Sequence, residues 1–406
     1  MPPPSITPDR PVLIIGAGVA GLILAQGLRL RSVPFRLFER HPRSRSAQGH
    51  RFRIAGDGQA ALQSVLSPPL RDLLRRTAPD ASRFAPRYVD AATLRYPDPA
   101  PAGGTDSLPV DRTWIRRLAL LDIEDAVEYG KEFASYDVVV DDDDGQVCAH
   151  FADGSAVQGR LLVGADGVKS RVRRQLQPDR KLLDLERWVM WGRTPLTDEL
   201  KRALPDDMLS WCMYLDHDAN VQTVVEPMTW ARSERLPSGS GSEHLDISDY
   251  VYWVVCTATS QYMEHLPKTA DEKKTFLERV TETWHPALKR LLSSALMDQT
   301  ACIPVLSSKP DIELQVCPAG QTGCVTIIGD AAHAMSPMGG SGGDTAVQNA
   351  AELARTIAEE GITRVNLTAF EARMAAKAQE RIEHSFRGGQ KFWRGKEWQE
   401  YREVDI

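Results

Sequence analysis

Cysteine is scarce in this chain of 406 residues, and its placement excludes two classes of protein. The six cysteines are scattered, and none forms a C-x-x-C pair. A small secreted domain would need a disulfide framework and a structural zinc site would need paired ligands, so neither class fits. We interpret the cysteines as reduced thiols of an intracellular protein. His, Cys and Asp residues do not cluster with metal-ligand spacing, so the predicted metal is none.

Long apolar runs and an excess of one charge are also missing. The first residues, MPPPSITPDRP, contain no apolar segment of the signal-peptide kind. No uninterrupted apolar stretch reaches the roughly 18 residues that cross a bilayer. The formal net charge is −6, which gives no electrostatic reason to expect nucleic acid or an anionic membrane as partner. The sequence indicates a cytoplasmic protein of enzyme size, with two domains or one elaborated domain.

The N-terminal region reads as a strand, a glycine-rich turn, a helix and a second strand. Residues 11–15 and 33–38 are apolar runs rich in β-branched or aromatic side chains, as buried parallel strands require. The turn between them contains the glycines Gly16, Gly18 and Gly21. Glycines at this point let the backbone approach a pyrophosphate at a helix N-terminus. Glu39 ends the second strand, where a carboxylate can bind a ribose. The pattern predicts a dinucleotide site and leaves NAD and FAD both open.

Two further motifs lie far downstream. Residues 155–163 are interpreted as one strand that closes a β-meander, whose hairpin loop holds the acidic run 141–144. Residues 161–173 read LLVGADGVKSRVR, and Ser170 is placed there to cap a helix. Residues 325–344 read VTIIGDAAHAMSPMGGSGGD, a strand followed by a second glycine-rich turn and then a helix. The chain therefore builds two glycine-rich turns, one near each end.

In this order the three motifs resemble those of the single-component FAD-dependent aromatic hydroxylases, of the para-hydroxybenzoate hydroxylase type, and within them the fungal branch of secondary metabolism. The resemblance covers nearly the whole chain. It implies an α/β fold (α+β overall), with a Rossmann-like FAD-binding domain, an inserted antiparallel-sheet substrate domain and a C-terminal helix. The implied boundaries are 1–180 and 302–362 for the two parts of the FAD-binding domain, 181–301 for the substrate sheet and 363–406 for the C-terminal helix and tail.

The resemblance also implies which residues hold the bound FAD. Asp166 belongs to the second motif, and the carboxylate of Asp330 is expected to contact the ribityl chain. The backbone at Pro337, Gly342 and Gly343 is expected to lie under the pyrophosphate and the isoalloxazine edge. FAD is long, so a second helix N-terminus suits the electron-rich oxygens at its flavin end.

Two arginines are further candidates for cofactor contacts. Arg112 opens an amphipathic helix and is similar to a family arginine that reaches the flavin or its phosphates. Arg53 follows the second strand and is a candidate for an FAD or nicotinamide contact. No second glycine fingerprint is present for a nicotinamide. NADPH or NADH is therefore expected to dock transiently, as it does in the family.

Asp344 and Asn349 depart from the family pattern, which usually has Asn at the first position and Asp at the second. A carboxylate close to the flavin disfavours the anionic reduced form. The sequence leaves two alternatives open. Either Asp344 points away from the flavin, or it tunes the reduction potential of the flavin.

The middle of the chain is rich in large apolar and aromatic side chains. Their alternation in 250–255 predicts an antiparallel sheet, and such a sheet above the flavin would form an apolar substrate chamber. In related fungal hydroxylases an arginine on the corresponding strand anchors a phenolate, so Arg193 is the candidate catalytic residue, with Tyr214 expected nearby. A cation there favours the deprotonated ring, although a strand arginine also commonly forms a surface ion pair.

The predicted reaction is hydroxylation of an aromatic or polycyclic natural product by NAD(P)H and O2, through a flavin hydroperoxide. The expected partner is a small aromatic, terpenoid, alkaloid or polyketide substrate. One alternative is epoxidation or oxidative rearrangement of an alkene or indole on the same fold. Another is a flavin- or NAD-binding protein that does not oxygenate. The substrate, the choice between NADH and NADPH and the oligomeric state are left open by the sequence.

Overall fold

The computed structural model describes residues 6–43, 51–80, 87–96, 107–139, 145–230, 248–312 and 323–406. The acidic run 141–144 lies outside the described residues. The strands are β1 Val12–Ile15, β2 Phe35–Glu39, β3 Arg51–Ile54, β4 Arg87–Asp90, β5 Leu108–Asp111, β6 Val127–Tyr129, β7 Phe133–Val139, β8 Gln146–Phe151, β9 Ala156–Gly159, β10 Leu161–Gly164, β11 Leu182–Pro195, β12 Cys212–Asp216, β13 Val221–Met228, β14 Tyr250–Ala258, β15 Ala301–Ser307, β16 Val325–Ile327 and β17 Arg402–Val404.

The helices are interspersed among these strands along the chain. They are α1 Val19–Leu30, α2 Gly56–Val65, α3 Pro68–Thr77, α4 Arg112–Leu120, α5 Arg171–Leu176, α6 Asp198–Ala203, α7 Ala270–Val280, α8 Pro286–Ser293, α9 Asp330–His333, α10 Gly342–Arg355 and α11 Arg364–Trp393. None of the helices within the described ranges combines the length and apolarity that crossing a bilayer requires.

A five-stranded parallel sheet forms the centre of the first domain, in the order β16-β10-β1-β2-β6. β1 and β10 are buried along their whole length, which explains their uninterrupted apolar sequences. α1 packs against α10 on this sheet. This arrangement confirms the predicted Rossmann-like α/β fold.

The second sheet is the predicted substrate sheet, in the order β15-β11-β14-β13-β12-β4, with β17 paired to β11. α7 and α8 cover one face and form a separate hydrophobic core with it. The sheet takes strands from outside the predicted range 181–301: β4 comes from the first part of the chain, β15 extends past residue 301 to Ser307, and β17 comes from the C-terminal tail. The tail was predicted only as polar, and its pairing to β11 shows that it is part of the sheet. The domain boundaries otherwise stay predictions.

The segment 155–163, predicted as one strand, is two strands in two sheets. β9 pairs with β8 in a three-stranded antiparallel sheet, whereas β10 pairs with β1 in the parallel sheet. Arg160 lies between them, is buried, and donates hydrogen bonds to the carbonyl oxygens of Gly145 and Ile362. These hydrogen bonds stabilise the point where the chain passes from one sheet to the other.

Glu371 is a buried carboxyl on α11 beside the edge of the parallel sheet. It is 3% exposed, and the hydroxyl of Thr326 on β16 donates a hydrogen bond to its Oε1 at 2.7 Å. Burial raises the pKa of Glu371 from 4.5 to about 7. Because the unfolded chain releases this proton at lower pH than the folded chain, Glu371 makes folding less favourable as pH rises from about 4.5 to about 7.

We therefore expect Glu371→Gln, which keeps the acceptor and cannot ionise, to raise the free energy of unfolding at about pH 8 by up to about 3 kcal/mol. At about pH 5 the gain should be much smaller. Urea unfolding at both pH values measures the difference. The matched control is Glu383→Gln, an exposed residue of the same helix. An identical pH dependence in wild type and Glu371→Gln would contradict the assignment.

Candidate functional site

A large cavity opens at the carboxyl edge of the parallel sheet, between the turns that follow β1, β10 and β16. Its volume is about 330 Å³, which lies at the lower end of the roughly 300–1,000 Å³ of ordinary small-ligand pockets. Its walls include most of the predicted cofactor residues, namely Gly16, Gly18, Glu39, Arg112, Asp166, Asp330, Gly342 and Gly343. Parallel strands end at one edge of a sheet, so motifs far apart in sequence meet there.

The first turn leaves β1 at Gly16 and enters α1 after Gly18. Gly16 has a φ of +105°, and a Cβ at this position would lie 2.5 Å from the carbonyl oxygen of Ala165. Only glycine tolerates both conditions. Gly21 lies within α1 and packs against the carbonyl of Gly16, so it allows the turn to close without lining the cavity. The N-terminus of α1 can thereby receive an anionic pyrophosphate.

Glu39 lies on the cavity wall at the end of β2. Its Oε2 accepts a hydrogen bond from the backbone N–H of Ala17 at 3.0 Å, and its Oε1 accepts one from the N–H of His41 at 2.9 Å. The carboxylate therefore ties the glycine-rich turn to β2. Because each carboxylate oxygen can accept more than one hydrogen bond, the predicted ribose contact remains compatible with this position.

Asp166 follows β10 and faces the cavity. Its Oδ2 accepts a hydrogen bond from the N–H of Arg171 at 2.8 Å, whereas its Oδ1 is buried and has no donor within the part of the chain that the structure describes. Burial raises the pKa of this carboxyl, and the Ser170 side chain and nearby backbone N–H groups oppose that shift. A buried acceptor without a donor costs free energy. A sugar hydroxyl of FAD would satisfy it.

Asp330 begins α9, and its exposed side chain lies on the cavity wall. Two guanidinium groups hold the opposite end of this short helix. Arg173 donates to the carbonyl oxygen of Ala331 at 3.4 Å, and Arg180 donates to that of Ala332. Burial, together with the charge of Arg173, lowers the pKa of Arg180 to about 9. Cations at the carbonyl end of a helix are favourable, so both arginines fix the orientation of Asp330.

His333 ties α9 to α10. Its Nε2 donates to the Oδ1 of Asn349, with 2.5 Å between the two atoms. Burial lowers the pKa of His333, so the ring is neutral near pH 7. Arg180 has no signature in the sequence, because its acceptor is a backbone carbonyl more than one hundred residues away and no local pattern marks such a contact.

The N-terminus of α10 forms another wall of the cavity, at Gly342 and Gly343. A Cβ on Gly343 would lie 2.4 Å from the ring of Phe52, which also lines the cavity. The first N–H groups of α10 have no partners within the helix, and its positive end suits the electron-rich oxygens of a flavin. Pro337 begins the 3₁₀ turn 337–339 and is not part of the lining. It shapes the loop that leads into α10.

Arg112 lines the cavity, and Arg53 does not. The guanidinium of Arg112 lies 5.5 Å from the centroid of the Phe52 ring. Neighbouring residues of β3 point to opposite faces. Phe52 faces the cavity, whereas Arg53 faces Glu226 on β13, whose Oε1 lies 2.7 Å from its Nη2. Arg53 forms a largely buried ion pair with Glu226, in which Arg51 also takes part, and its predicted contact with FAD or a nicotinamide stays a prediction.

Arg193 and Tyr214 lie on opposite faces of the second sheet. The Nη2 of Arg193 is 3.6 Å from the Oδ2 of Asp111, and its guanidinium is 4.4 Å from the centroid of the Tyr250 ring. Tyr214 lies in the hydrophobic core beneath α7 and α8 and is 1% exposed. Burial raises the pKa of its phenol. The expectation that Tyr214 lies near Arg193 is wrong, because strand periodicity alone did not show which face each residue occupies.

Comparison with known proteins places the same features in one family. The family model described as FAD binding domain matches residues 123–364, which is more than half of the chain. Among solved structures, a candidate FAD-containing monooxygenase of Photorhabdus luminescens superimposes with a TM-score of 0.78 at 25% identity. The alignment covers 95% of this chain and 98% of that chain.

Curated relatives agree with this match. A dual O-methyltransferase/FAD-dependent monooxygenase of Phaeosphaeria nodorum is 33% identical, in an alignment that covers 86% of this chain and 40% of that protein. The chain spans less than half the length of the curated relatives of this kind. An aurachin C monooxygenase/isomerase of Stigmatella aurantiaca is 26% identical, over 93% of this chain and 88% of that protein.

Glu39→Ala removes the acceptor for two N–H groups and for the predicted ribose contact. We expect the dissociation constant for FAD to rise about tenfold, which corresponds to about 1.4 kcal/mol. Fluorescence titration of the apoprotein with FAD measures this change. Glu128→Ala is the control, since that carboxylate pairs with Arg36 outside the cavity. Unchanged affinity in Glu39→Ala would argue against the ribose contact.

Arg180→Met should also weaken FAD binding about tenfold, because α9 loses a cation at its carbonyl end and Asp330 is less firmly oriented. Arg180→Lys should recover part of the affinity. Arg174→Met, at an exposed position of α5, is the matched control. The titrations are carried out at a temperature well below the melting temperature of each variant, so that unfolding is not mistaken for a loss of FAD affinity. Wild-type affinity in Arg180→Met would rule out the positioning role.

Proposed function

Because this chain belongs to the FAD-binding-domain family of flavoprotein monooxygenases, we propose that it uses NAD(P)H and O2 to introduce one oxygen atom into an aromatic or polycyclic natural product. One observation supports this most strongly. The turns after β1, β10 and β16 meet in one cavity that has the N-termini of α1 and α10 in its walls.

When bound, FAD supplies two-electron transfer from NAD(P)H and the activation of O2. The residues of the chain bind and orient the two ends of this cofactor. Glu39 and the N-terminus of α1 suit the adenosine and pyrophosphate end, whereas Asp330 and the N-terminus of α10 suit the flavin end. Arg112 adds a cation to the wall between them. A fixed cation stabilises negative charge that develops during reaction.

The face of the second sheet that carries Trp191, Tyr250 and Tyr252 is proposed to cover the substrate. The guanidinium of Arg51 lies 5.0 Å from the centroid of the Tyr252 ring. The indole Nε1 of Trp191 is buried and has no acceptor among the described residues, so it is available to donate a hydrogen bond to a substrate oxygen. Aromatic walls of this kind exclude water from the reacting atoms.

Arg193 is proposed to anchor a phenolate on this face. Asp111 balances its charge and also accepts a hydrogen bond from the hydroxyl of Tyr250 at 2.6 Å. The Oδ1 of Asp111 caps α4 by accepting from the N–H of Trp114 at 2.8 Å. A phenolate would compete with Asp111 for the guanidinium, and Asp111 directly precedes Arg112 on the cavity wall. Binding of a phenolate would thereby affect Arg112 at the flavin site through the carboxylate of Asp111.

The relatives support two substrate classes. The Phaeosphaeria relative joins the monooxygenase to an O-methyltransferase, an activity that acts on oxygen atoms, and this favours a hydroxylated aromatic substrate. The Stigmatella relative is a monooxygenase/isomerase, and it favours the second candidate, in which oxygenation of an alkene or indole is followed by rearrangement. The two candidates share the cofactor and differ in whether the substrate is an anion.

The test is an assay of the purified, flavin-loaded protein with NADH or NADPH, ¹⁸O2 and a panel of phenols and indoles. We expect one compound to accelerate NAD(P)H oxidation and to gain one labelled oxygen atom. Asp330→Ala should lose most of its FAD and this activity together. A protein that binds FAD, oxidises NAD(P)H no faster with any compound and incorporates no label would instead be a non-oxygenating flavoprotein.

Arg193→Gln separates the two substrate classes. If Arg193 binds a phenolate, the variant should keep its FAD and flavin spectrum and lose about tenfold or more in kcat/KM for phenols, with little change for indoles. Asp111 then remains buried without its cation, so some loss of stability is expected as well. Near-normal turnover of phenols would exclude the anchor role and favour the alkene or indole class.

A further inference from the structure

Asp344 is a buried carboxylate in the first turn of α10. It directly follows Gly343, which lines the cavity, and it is 3% exposed. Its Oδ1 accepts a hydrogen bond from the backbone N–H of Ala55 at 3.1 Å, and its Oδ2 accepts one from the Nε2 of Gln348 at 2.8 Å. Both oxygens therefore act as acceptors, which is the arrangement of an ionised carboxylate.

A second helix N-terminus meets the same carboxylate. Ala55 is the N-cap residue of α2, so Asp344 stabilises the start of α2 as well as lying at the start of α10. The approach is close: a Cβ on Gly58 would lie 1.9 Å from the Oδ1 of Asp344. A glycine at position 58 is therefore what allows α2 to reach the carboxylate.

The third helix at this point is α11, which brings positive charge. The Nζ of Lys377 donates a hydrogen bond to the Oε1 of Gln348, whose amide in turn donates to Asp344. Lys377 and Arg381 both act on the carboxylate through their charge and oppose the rise in pKa that burial causes in Asp344. A cation, an amide and a carboxylate thus connect α11, α10 and α2 directly behind the glycines of the cavity.

We propose that Asp344 is a positioning residue that fixes the N-terminus of α10 against α2 and α11 and, through its negative charge, makes the bound flavin harder to reduce. The positive end of α10 would favour the negative charge that a flavin gains on reduction. A carboxylate in the same turn offsets that effect. This inference rests on the proposed function, because it requires a redox-active flavin in the cavity.

The test is the two-electron reduction potential of the FAD-loaded protein, measured by equilibration with reference dyes. Asp344→Asn keeps an oxygen for the N–H of Ala55 and removes the charge. We expect reduction to become about tenfold more favourable, a rise of about 30 mV for a two-electron couple. Asp57→Asn removes an exposed charge from the first turn of α2 and is the matched control, expected to leave the potential unchanged.

Lys377→Met provides a second variant with the opposite expectation. It removes a cation from the same network, so the potential should fall. A residue with only a structural role would not give shifts of opposite sign in the two variants. An Asp344→Asn protein with the wild-type potential, or a rise in both variants, would overturn the proposal. The measurement needs no substrate, so a failure of the oxygenation assay leaves its result interpretable.

Discussion

The parallel pairing of β16, β10 and β1 is the constraint on which the cavity depends. Ile14 pairs with Val163 and Val163 pairs with Thr326, so the three strands end level with one another. The turns that follow them can then share one space. A shift of one residue would move every side chain of a strand to the other face, and these three strands are buried on both faces. The buried apolar strands therefore determine where Glu39, Asp166 and Asp330 can meet.

The predicted cofactor residues that line the cavity belong to local sequence patterns. A strand, a glycine turn and a helix are contiguous in the chain, and the terminal acid of β2 lies at a fixed distance from them. Backbone contacts do not leave such a pattern. Arg173 and Arg180 bind backbone carbonyl groups of α9, and Asp344 binds the backbone N–H of Ala55. Because nearly every residue has these backbone groups, the sequence does not mark which residue is the partner. Tertiary packing alone brings them together.

The two faces of a strand account for the other differences between the predicted and the observed positions of residues. Strand alternation shows that neighbours point in opposite directions, but it does not say which direction faces the cofactor. Arg53 faces Glu226, and Tyr214 faces the core beneath α7 and α8; the alternation along the strand reveals neither direction. The sequence also gives no sign of the division at Arg160. Nothing in residues 155–163 indicates that the first half of this segment joins one sheet, as β9, and the second half another, as β10.

The long helix α11 contacts both the second sheet and the loop that leads into α10. Its residue Gly388 approaches the loop so closely that a Cβ there would lie 3.0 Å from the carbonyl oxygen of Met338. Its last carbonyl groups accept hydrogen bonds from the sheet, and the Nδ2 of Asn220 is 2.8 Å from the carbonyl oxygen of Trp393. Arg187 donates to the same carbonyl and adds a cation to the helix C-terminus. One rigid element thus contacts both the loop that leads into α10 and the sheet proposed to cover the substrate, so displacement of either would have to disturb the other.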